Sequence, residues 1–326
     1  MSIQKAIFEW YLINGRHDLP WRQTEDAYKI YLSEIMLQQT QVKTVLERLY
    51  FPVLKRFPTL ESVAKAPLDD VLKAWEGLGY YTRAKNLHHT AMTCGKALPS
   101  SPEELGGLKG IGKSTAHAIC AFAYKQALPI LDANVKRVLC RFYGLESKDE
   151  KVLWQKAWEL LDTKHPYEYN QAMMDLGASL CSRGKPRCHE CPLNEACVAR
   201  QQDRQRDFPT SKPRKALPER TTHLLILRHE DQVWLQQRPA SGLWGGLYGF
   251  IEFASAETAC RWLDTIYPGQ YSLTPLRGFR HTFTHFHLDV APLLAELPAR
   301  PAIPHMEQTE SLWYNLHPPA RIDLSA

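Results

Sequence analysis

Cys181-Ser-Arg-Gly-Lys-Pro-Arg-Cys188-His-Glu-Cys191-Pro-Leu-Asn-Glu-Ala-Cys197 is the stretch on which the reading of this chain turns. Four thiols spaced Cys-x6-Cys-x2-Cys-x5-Cys in a loop-rich segment can converge on one metal centre. All-thiolate ligation suits a [4Fe–4S] cluster or a structural zinc. Zinc ribbons usually pair two Cys-x2-Cys knuckles across a longer gap, and only one knuckle stands here, so the spacing favours iron–sulfur with zinc second. Disulfides come last. Residues 1–12 carry Lys5 and Glu9 among spaced apolar residues, so no signal peptide is expected and a reducing cytoplasm is. The other cysteines, Cys94, Cys120, Cys140 and Cys260, sit in apolar settings and read as small buried hydrophobes.

Working outward, 326 residues predict two domains, and no segment is long and apolar enough to cross a bilayer. A net charge of +5 permits a polyanionic partner without requiring one. Residues 1–200 read as helices: Ile3, Ala6, Ile7, Trp10 and Tyr11 share a face, residues 33–50 continue the stripe, and further helices are predicted at 69–75, 82–94, 114–124, 134–142 and 152–161. Residues 201–220 are polar and carry proline, which predicts a linker, and the arginines after Arg200 read as its solvated face. From residue 221 the period becomes two. Residues 222–227 and 233–236 flank a polar turn as a hairpin, a short helix follows near 257–266, and 286–290 alternates as a strand. The fold class is therefore an all-α unit followed by an α+β unit.

Three further segments carry chemistry. Leu108-Lys109-Gly110-Ile111-Gly112-Lys113-Ser114-Thr115-Ala116 is a Gly-x-Gly turn opening into an apolar helix, where backbone N–H groups can cradle a phosphate. Close helix packing explains the same glycines. In Leu131-Asp132-Ala133-Asn134-Val135-Lys136-Arg137, Asp132 and Asn134 stand where a helix begins, so a helix cap and a catalytic carboxylate are both open. Glu34 lies inside Leu32-Ser33-Glu34-Ile35-Met36-Leu37-Gln38-Gln39-Thr40-Gln41. Burial in that apolar helix would raise its pKa and suit it to general-acid work. Two carboxyls in different environments suit cleavage through an oxocarbenium-like transition state.

The quartet, the hairpin, the Leu-Asp-Ala-Asn-Val-Lys-Arg segment and Leu-Ser-Glu-Ile-Met-Leu-Gln-Gln-Thr-Gln, in that combination and over most of the chain, resemble the helix–hairpin–helix endonuclease III superfamily and, more closely, its adenine-glycosylase branch. The resemblance implies a helical catalytic domain over 1–200, with the hairpin at about 105–125 and an iron–sulfur loop at 181–197, then a MutT-like (Nudix-like) domain over 221–326. It implies a monofunctional, monomeric DNA glycosylase that removes adenine mispaired with 8-oxoguanine or guanine in double-stranded DNA. Glu34 would be the acid, Asp132 the stabiliser of the positive sugar, and Asn134 its support. Gln39, Leu78 and Tyr80 would meet the opened duplex, Gly110, Gly112 and Ser114 the DNA at the hairpin, and Arg183 and Lys185 its phosphates. Cys181, Cys188, Cys191 and Cys197 would hold the [4Fe–4S] cluster. Phe283, Thr284 and His285 match the loop that reads 8-oxoguanine, with Thr284 in place of the usual Ser.

Two departures matter. The glycosylase/lyases carry a nucleophilic Lys where this chain has Ser114, and Lys113 next to it is rotated about 100° round the helix, so a Schiff base is not expected. Lys109 replaces a usual Pro and bears on turn stiffness. Residues 254–263 lack the Arg-Glu-x-x-Glu-Glu set of a working MutT-type hydrolase, and no metal site is expected at His281, His285 and His287. The competing readings are a non-catalytic, redox-responsive iron–sulfur DNA-binding protein and an endonuclease III-like lyase. Glu34 and Asp132 together argue against the first.

Overall fold

In the computed structural model, residues 2–146, 149–210, 216–239, 242–268, 270–283, 285–301 and 310–317 are described. They form two units, Met1–Pro213 and Arg214–Ala326. The first is helical. Helix Ala133–Tyr143 shows why the helices fall where they do. Asp132 caps its start by accepting the Val135 N–H at 2.7 Å, and Val135, Val138, Leu139 and Phe142 recur at helical spacing towards the core. Gly144, at φ +68°, ends it in the left-handed region.

Two apolar cores build this unit. One gathers Trp21, Tyr31, Ile35, Trp75, Leu87 and Ile119; the other gathers Ile7, Tyr11, Leu139, Leu153, Met173 and Leu176. Each fully buried Leu or Ile contributes about 1.5–3 kcal/mol. A small cluster of Ile30, Ala118, Phe122 and Ile130 joins helices Ala27–Leu37 and Lys113–Ala123. Glu34 thus rides on a helix of the first core, and Asp132 opens a helix of the second.

The predicted helices at 82–94 and 114–124 appear as Thr82–Cys94 and Lys113–Ala123. The stripe over 33–50 is interrupted: Ala27–Leu37 stops, Gln39 turns with φ +57°, and Val42–Arg48 restarts. Helix Pro166–Asp175 was not expected, because Pro166 reads as punctuation although proline is well suited to a first helical position. Residues 202–210, linker by composition, pack on the helical unit: Phe208 is buried and its carbonyl accepts from Arg141 Nε at 3.1 Å. Cys94 and Cys260 are only half-buried, whereas Cys120 and Cys140 are buried. Among the described residues no helix is long and apolar enough to cross a membrane.

The second unit is a mixed sheet. β1 (Glu219–His229) and β2 (Gln232–Gln237) form the expected hairpin, pairing antiparallel with Arg228 opposite Val233. β3 (Tyr248–Gly249) pairs with β2, and β4 (Ile251–Phe253) pairs with β1. β5 (Ser272–Pro275) and β6 (Phe279–Thr282) pair antiparallel with β7 (His287–Glu296), which runs parallel to β1. β8 (Ser311–Asn315) lies beside β2. Helix Ala256–Ile266 covers one face through Ala259 and Leu263.

Candidate active site

Helix Ala27–Leu37 buries Ile30, Tyr31, Leu32, Ser33, Ile35 and Met36, so it runs through the core rather than over it. Glu34 sits in that run. Part of its side chain still meets solvent while protein surrounds the rest. Burial raises its pKa, the charge of Asp132 raises it further, and Arg22 opposes both; the result is about 7. No described side chain or backbone group hydrogen-bonds the carboxyl, which leaves it available to a substrate.

Asp132 is both the helix cap and a site carboxylate. One oxygen accepts the Val135 N–H, and the other accepts Asn134 Nδ2 at 3.3 Å. Burial raises its pKa, and these bonds together with the Arg137 charge pull it part of the way back. Two residues upstream of the cap residue's own helix start, the Leu131 N–H donates to Ser114 Oγ at 3.1 Å. Ser114 therefore fastens the hairpin helix to the Asp132 strand of chain. Its hydroxyl oxygen accepts that bond, which leaves its own O–H free to donate.

Asn134 Oδ1 accepts Arg137 Nη2 at 3.0 Å, and Arg137 also donates to the carbonyls of Gly177 and Cys181. A Cβ on Gly177 would stand 2.5 Å from Asn134 Cβ, so only glycine admits Asn134 to this position. The carboxylate at Asp132 is thus tied through Asn134 and Arg137 to the backbone of the first cysteine in the quartet.

The hairpin lies between helices Pro102–Gly106 and Lys113–Ala123. Gly110 takes φ +80° with Asn86 packed where a Cβ would be, and the buried Ile111 anchors the turn. No side chain caps helix Lys113–Ala123, so its first N–H groups face outward beside Gly112. Lys113 Nζ lies 4.1 Å from the centroid of the Trp154 ring.

Gln39 and Tyr80 are exposed and both adopt positive φ, +57° and +51°. One buried arginine holds both turns. Arg83 donates to the carbonyls of Ile35, Met36 and Gln38 on one side and to those of Leu78 and Gly79 on the other, with its guanidinium 5.2 Å from the Tyr80 ring. Non-glycine residues at positive φ carry backbone strain, which this clamp holds in place. Leu78 packs in the first core between glycines at 77 and 79 and anchors the turn that presents Tyr80.

Cys181, Cys188, Cys191 and Cys197 line one pocket together with Arg141, Leu180, Pro186 and Asn194. Burial raises the thiols of Cys188, Cys191 and Cys197, and their mutual repulsion adds to it; Cys191 reaches about 12. Arg141 threads the loop, donating to Cys181 Sγ and to the carbonyls of Cys181, Ser182 and Arg183. Arg183 and Lys185 are exposed on this loop.

In the second unit, the turn between β6 and β7 is closed by the Phe283 N–H donating to the Phe286 carbonyl at 2.9 Å. Phe283 stacks on Phe286 at 4.7 Å and meets Trp244 and His281, while His285 is exposed. Thr284 lies outside the described residues. Helix Ala256–Ile266 offers Glu257 and Asp264, and Asp264 already accepts the Tyr271 hydroxyl at 2.7 Å.

Comparison with known proteins agrees with this geometry. The family described as HhH-GPD superfamily base excision DNA repair protein matches residues 32–163, and a NUDIX domain matches residues 222–326. An adenine DNA glycosylase of Buchnera aphidicola subsp. Acyrthosiphon pisum is 37% identical, over 98% of this chain and 93% of that protein. The chain belongs to the adenine DNA glycosylase family. The human adenine DNA glycosylase is 33% identical over 88% of this chain and 65% of its own length. A solved thermostable thymine-DNA glycosylase matches with TM-score 0.57 and 27% identity, covering 61% of this chain and 95% of that one. A non-covalent endonuclease III–DNA complex matches the fold with TM-score 0.52 and 17% identity, covering 62% and 98%.

This glycosylase also contains site residues that sequence reading passed over. Arg22 donates two bonds to buried Asp175, at 2.7 and 2.8 Å, and Arg16 adds a further 2.7 Å bond from Nε. Burial would raise Asp175, but these partners hold it below the usual carboxylate range. Fixed in this way, Arg22 directs its charge at Glu34. Arg22, Asp175 and Arg83 belong to no short motif, and Arg137, which closes the Leu131–Arg137 segment, was given no role there; only the fold brings them to the site.

Proposed function

We propose that the chain hydrolyses the N-glycosidic bond of adenine paired with 8-oxoguanine or guanine, with no lyase step. The observation that carries this is the pairing of Glu34 and Asp132: burial and the Asp132 charge raise Glu34 to about 7, so a substantial share keeps its proton near neutrality, while the helix cap and Asn134 oppose the rise that burial gives Asp132. Glu34 gives its proton to a ring nitrogen of the extruded adenine. The bond from the sugar to the base breaks, and its electron pair leaves with adenine. Asp132 as carboxylate stabilises the positive sugar. Glu34, now ionised, takes a proton from the attacking water, and free adenine and an abasic site result. Extrusion costs a few kcal/mol and is cheapest at a mispair.

Gly110 and Gly112 and the uncapped helix start support a phosphate contact, and Gln39 and Tyr80 are presented at the surface on one clamp. Ser114 supports the active site through Leu131 in place of a nucleophile, and Lys113 rests on Trp154. Cys181, Cys188, Cys191 and Cys197 fit a [4Fe–4S] cluster: four soft ligands face one pocket, and thiols that burial keeps neutral need a cationic centre to ionise together. When bound, the cluster would order the loop that offers Arg183 and Lys185 to phosphates. Phe283 and His285, with Thr284 between them in the sequence, are assigned to 8-oxoguanine, consistent with the aromatic packing that fixes Phe283.

Single-turnover assays on duplexes with adenine opposite 8-oxoguanine, guanine and thymine test the reading. Free adenine is expected from the first two and little from the third, with no borohydride-trapped adduct. No adenine release by cluster-loaded protein, or an efficient adduct, would overturn it.

A further inference from the structure

Composition marks residues 201–220 as a linker, yet the first part folds back. The Arg204 N–H donates to the Ala199 carbonyl at 2.8 Å, the Asp207 N–H to that of Arg204 at 3.0 Å, and the Thr210 N–H to that of Glu146 at 3.0 Å. Phe208 is buried beneath the Arg204 guanidinium, 4.9 Å from its ring. This return lays Arg200, Gln205 and Arg206 against Gly184, Lys185 and Cys188 of the quartet loop, and together they line a cavity of about 700 Å³.

The cavity is cationic. Lys185, Arg200, Arg204 and Arg206 line it against Asp203 and Asp207. Arg204 is neutralised by Asp207 at 3.0 Å and Glu146 at 3.6 Å. No ion pair engages Lys185, Arg200 or Arg206 among the described residues. Arg200 also lines the cysteine pocket and its charge acts on Cys188, so the Arg206 guanidinium and the Lys185 ammonium are the cations left to an anion with several acceptor oxygens. His189 is the only aromatic ring in the lining, so base stacking has one small platform there while the cations offer several donors. The chemistry therefore suits a backbone phosphate rather than a free nucleotide.

We propose that this cavity is a second DNA-phosphate site, which takes a phosphodiester further along the strand than the contacts of Arg183 and the outer face of the loop. Lys185 lines the cavity and also belongs to that loop, so the two sites form one continuous track. The inference rests on the reading of the loop as DNA-facing. Filling the cavity releases counterions from DNA without regard to base sequence.

Arg206 is exposed, so its replacement leaves the fold intact. The test measures binding of cluster-loaded, full-length Arg206→Gln to mispaired and fully matched duplexes over a range of KCl. The salt slope should fall by about one against the parent for both duplexes, and Arg206→Lys should restore it. Inorganic phosphate should compete more weakly against Arg206→Gln than against the parent. An Arg206→Gln protein that still releases adenine and keeps the parental slope would overturn the proposal while leaving the glycosylase reading intact. Phosphate competition lost with the slope unchanged would also overturn it, because the cavity would then hold a free anion and not the strand. Absence of adenine release by the parent protein would instead sink the glycosylase reading.

Discussion

Replacing Glu34 by Gln separates the cost of the acid from its use. The folded protein raises this carboxyl from 4.5 to about 7. A shift of that size corresponds to about 3 kcal/mol of unfavourable interaction with the ionised form. The sign follows from linkage. The folded pKa lies above the unfolded one, so the penalty is absent below about pH 4.5, grows between there and about pH 7, and is complete above it. Glutamine carries no charge at any pH, and Glu34 makes no hydrogen bond to a described residue that the change would break. Glu34→Gln should therefore raise the stability of the helical unit at pH 8 and leave it nearly unchanged at pH 4.5. With roughly 2–4 °C per kcal/mol for a unit of this size, the gain at pH 8 is about 6–12 °C. Thermal denaturation of both cluster-loaded proteins at the two pH values measures it. Adenine release should meanwhile fall by about a thousandfold or more. An equal stability change at both pH values, or a loss at pH 8, would refute the buried acid.

Other consequences follow from the same geometry. The single-turnover rate should be bell-shaped in pH, with its alkaline limb near 7 as Glu34 ionises and an acid limb above the usual aspartate range as Asp132 protonates; a flat profile between pH 5 and 8 would contradict it. Arg83→Met should cost about 3 kcal/mol in urea denaturation, because its carbonyl acceptors on both turns lose their donor, and should abolish the fluorescence change of an extruded 2-aminopurine in the mispair. Gly177→Ala should displace Asn134 and lower the single-turnover rate about tenfold or more while mispair affinity stays within a few-fold. Asp175→Asn should destabilise by about 3–5 kcal/mol, since it leaves the Arg22 charge buried without its partner.

Local chemistry was legible wherever it lay in one short segment. The quartet, the hairpin and the Asp132 start were readable from spacing, and the cap reading of Asp132 leaves its second oxygen on Asn134, compatible with the proposed catalytic role. The hidden part is what the fold gathers from afar. Arg83 clamps two turns, one at Gln38 and one at Gly79, that lie far apart in the chain, and neither turn advertises the need for it. Asp175 in Met-Met-Asp looks like any helix end until Arg16 and Arg22 converge on it. The burial of Leu78 was not legible either, since its neighbours Gly77 and Gly79 both turn with positive φ. Residues 202–210 show the same limit: polar composition predicts solvent, but a single buried ring at Phe208 pins the segment down.

The most direct test is titration of Glu34 by carbon-13 NMR in protein labelled at glutamate carboxyls, assigned by its disappearance in Glu34→Gln. One signal should titrate near pH 7 and move to lower pH in Asp132→Asn, because the two charges share a pocket. A Glu34 signal titrating near pH 4.5, or one that ignores the loss of the Asp132 charge, would contradict the account.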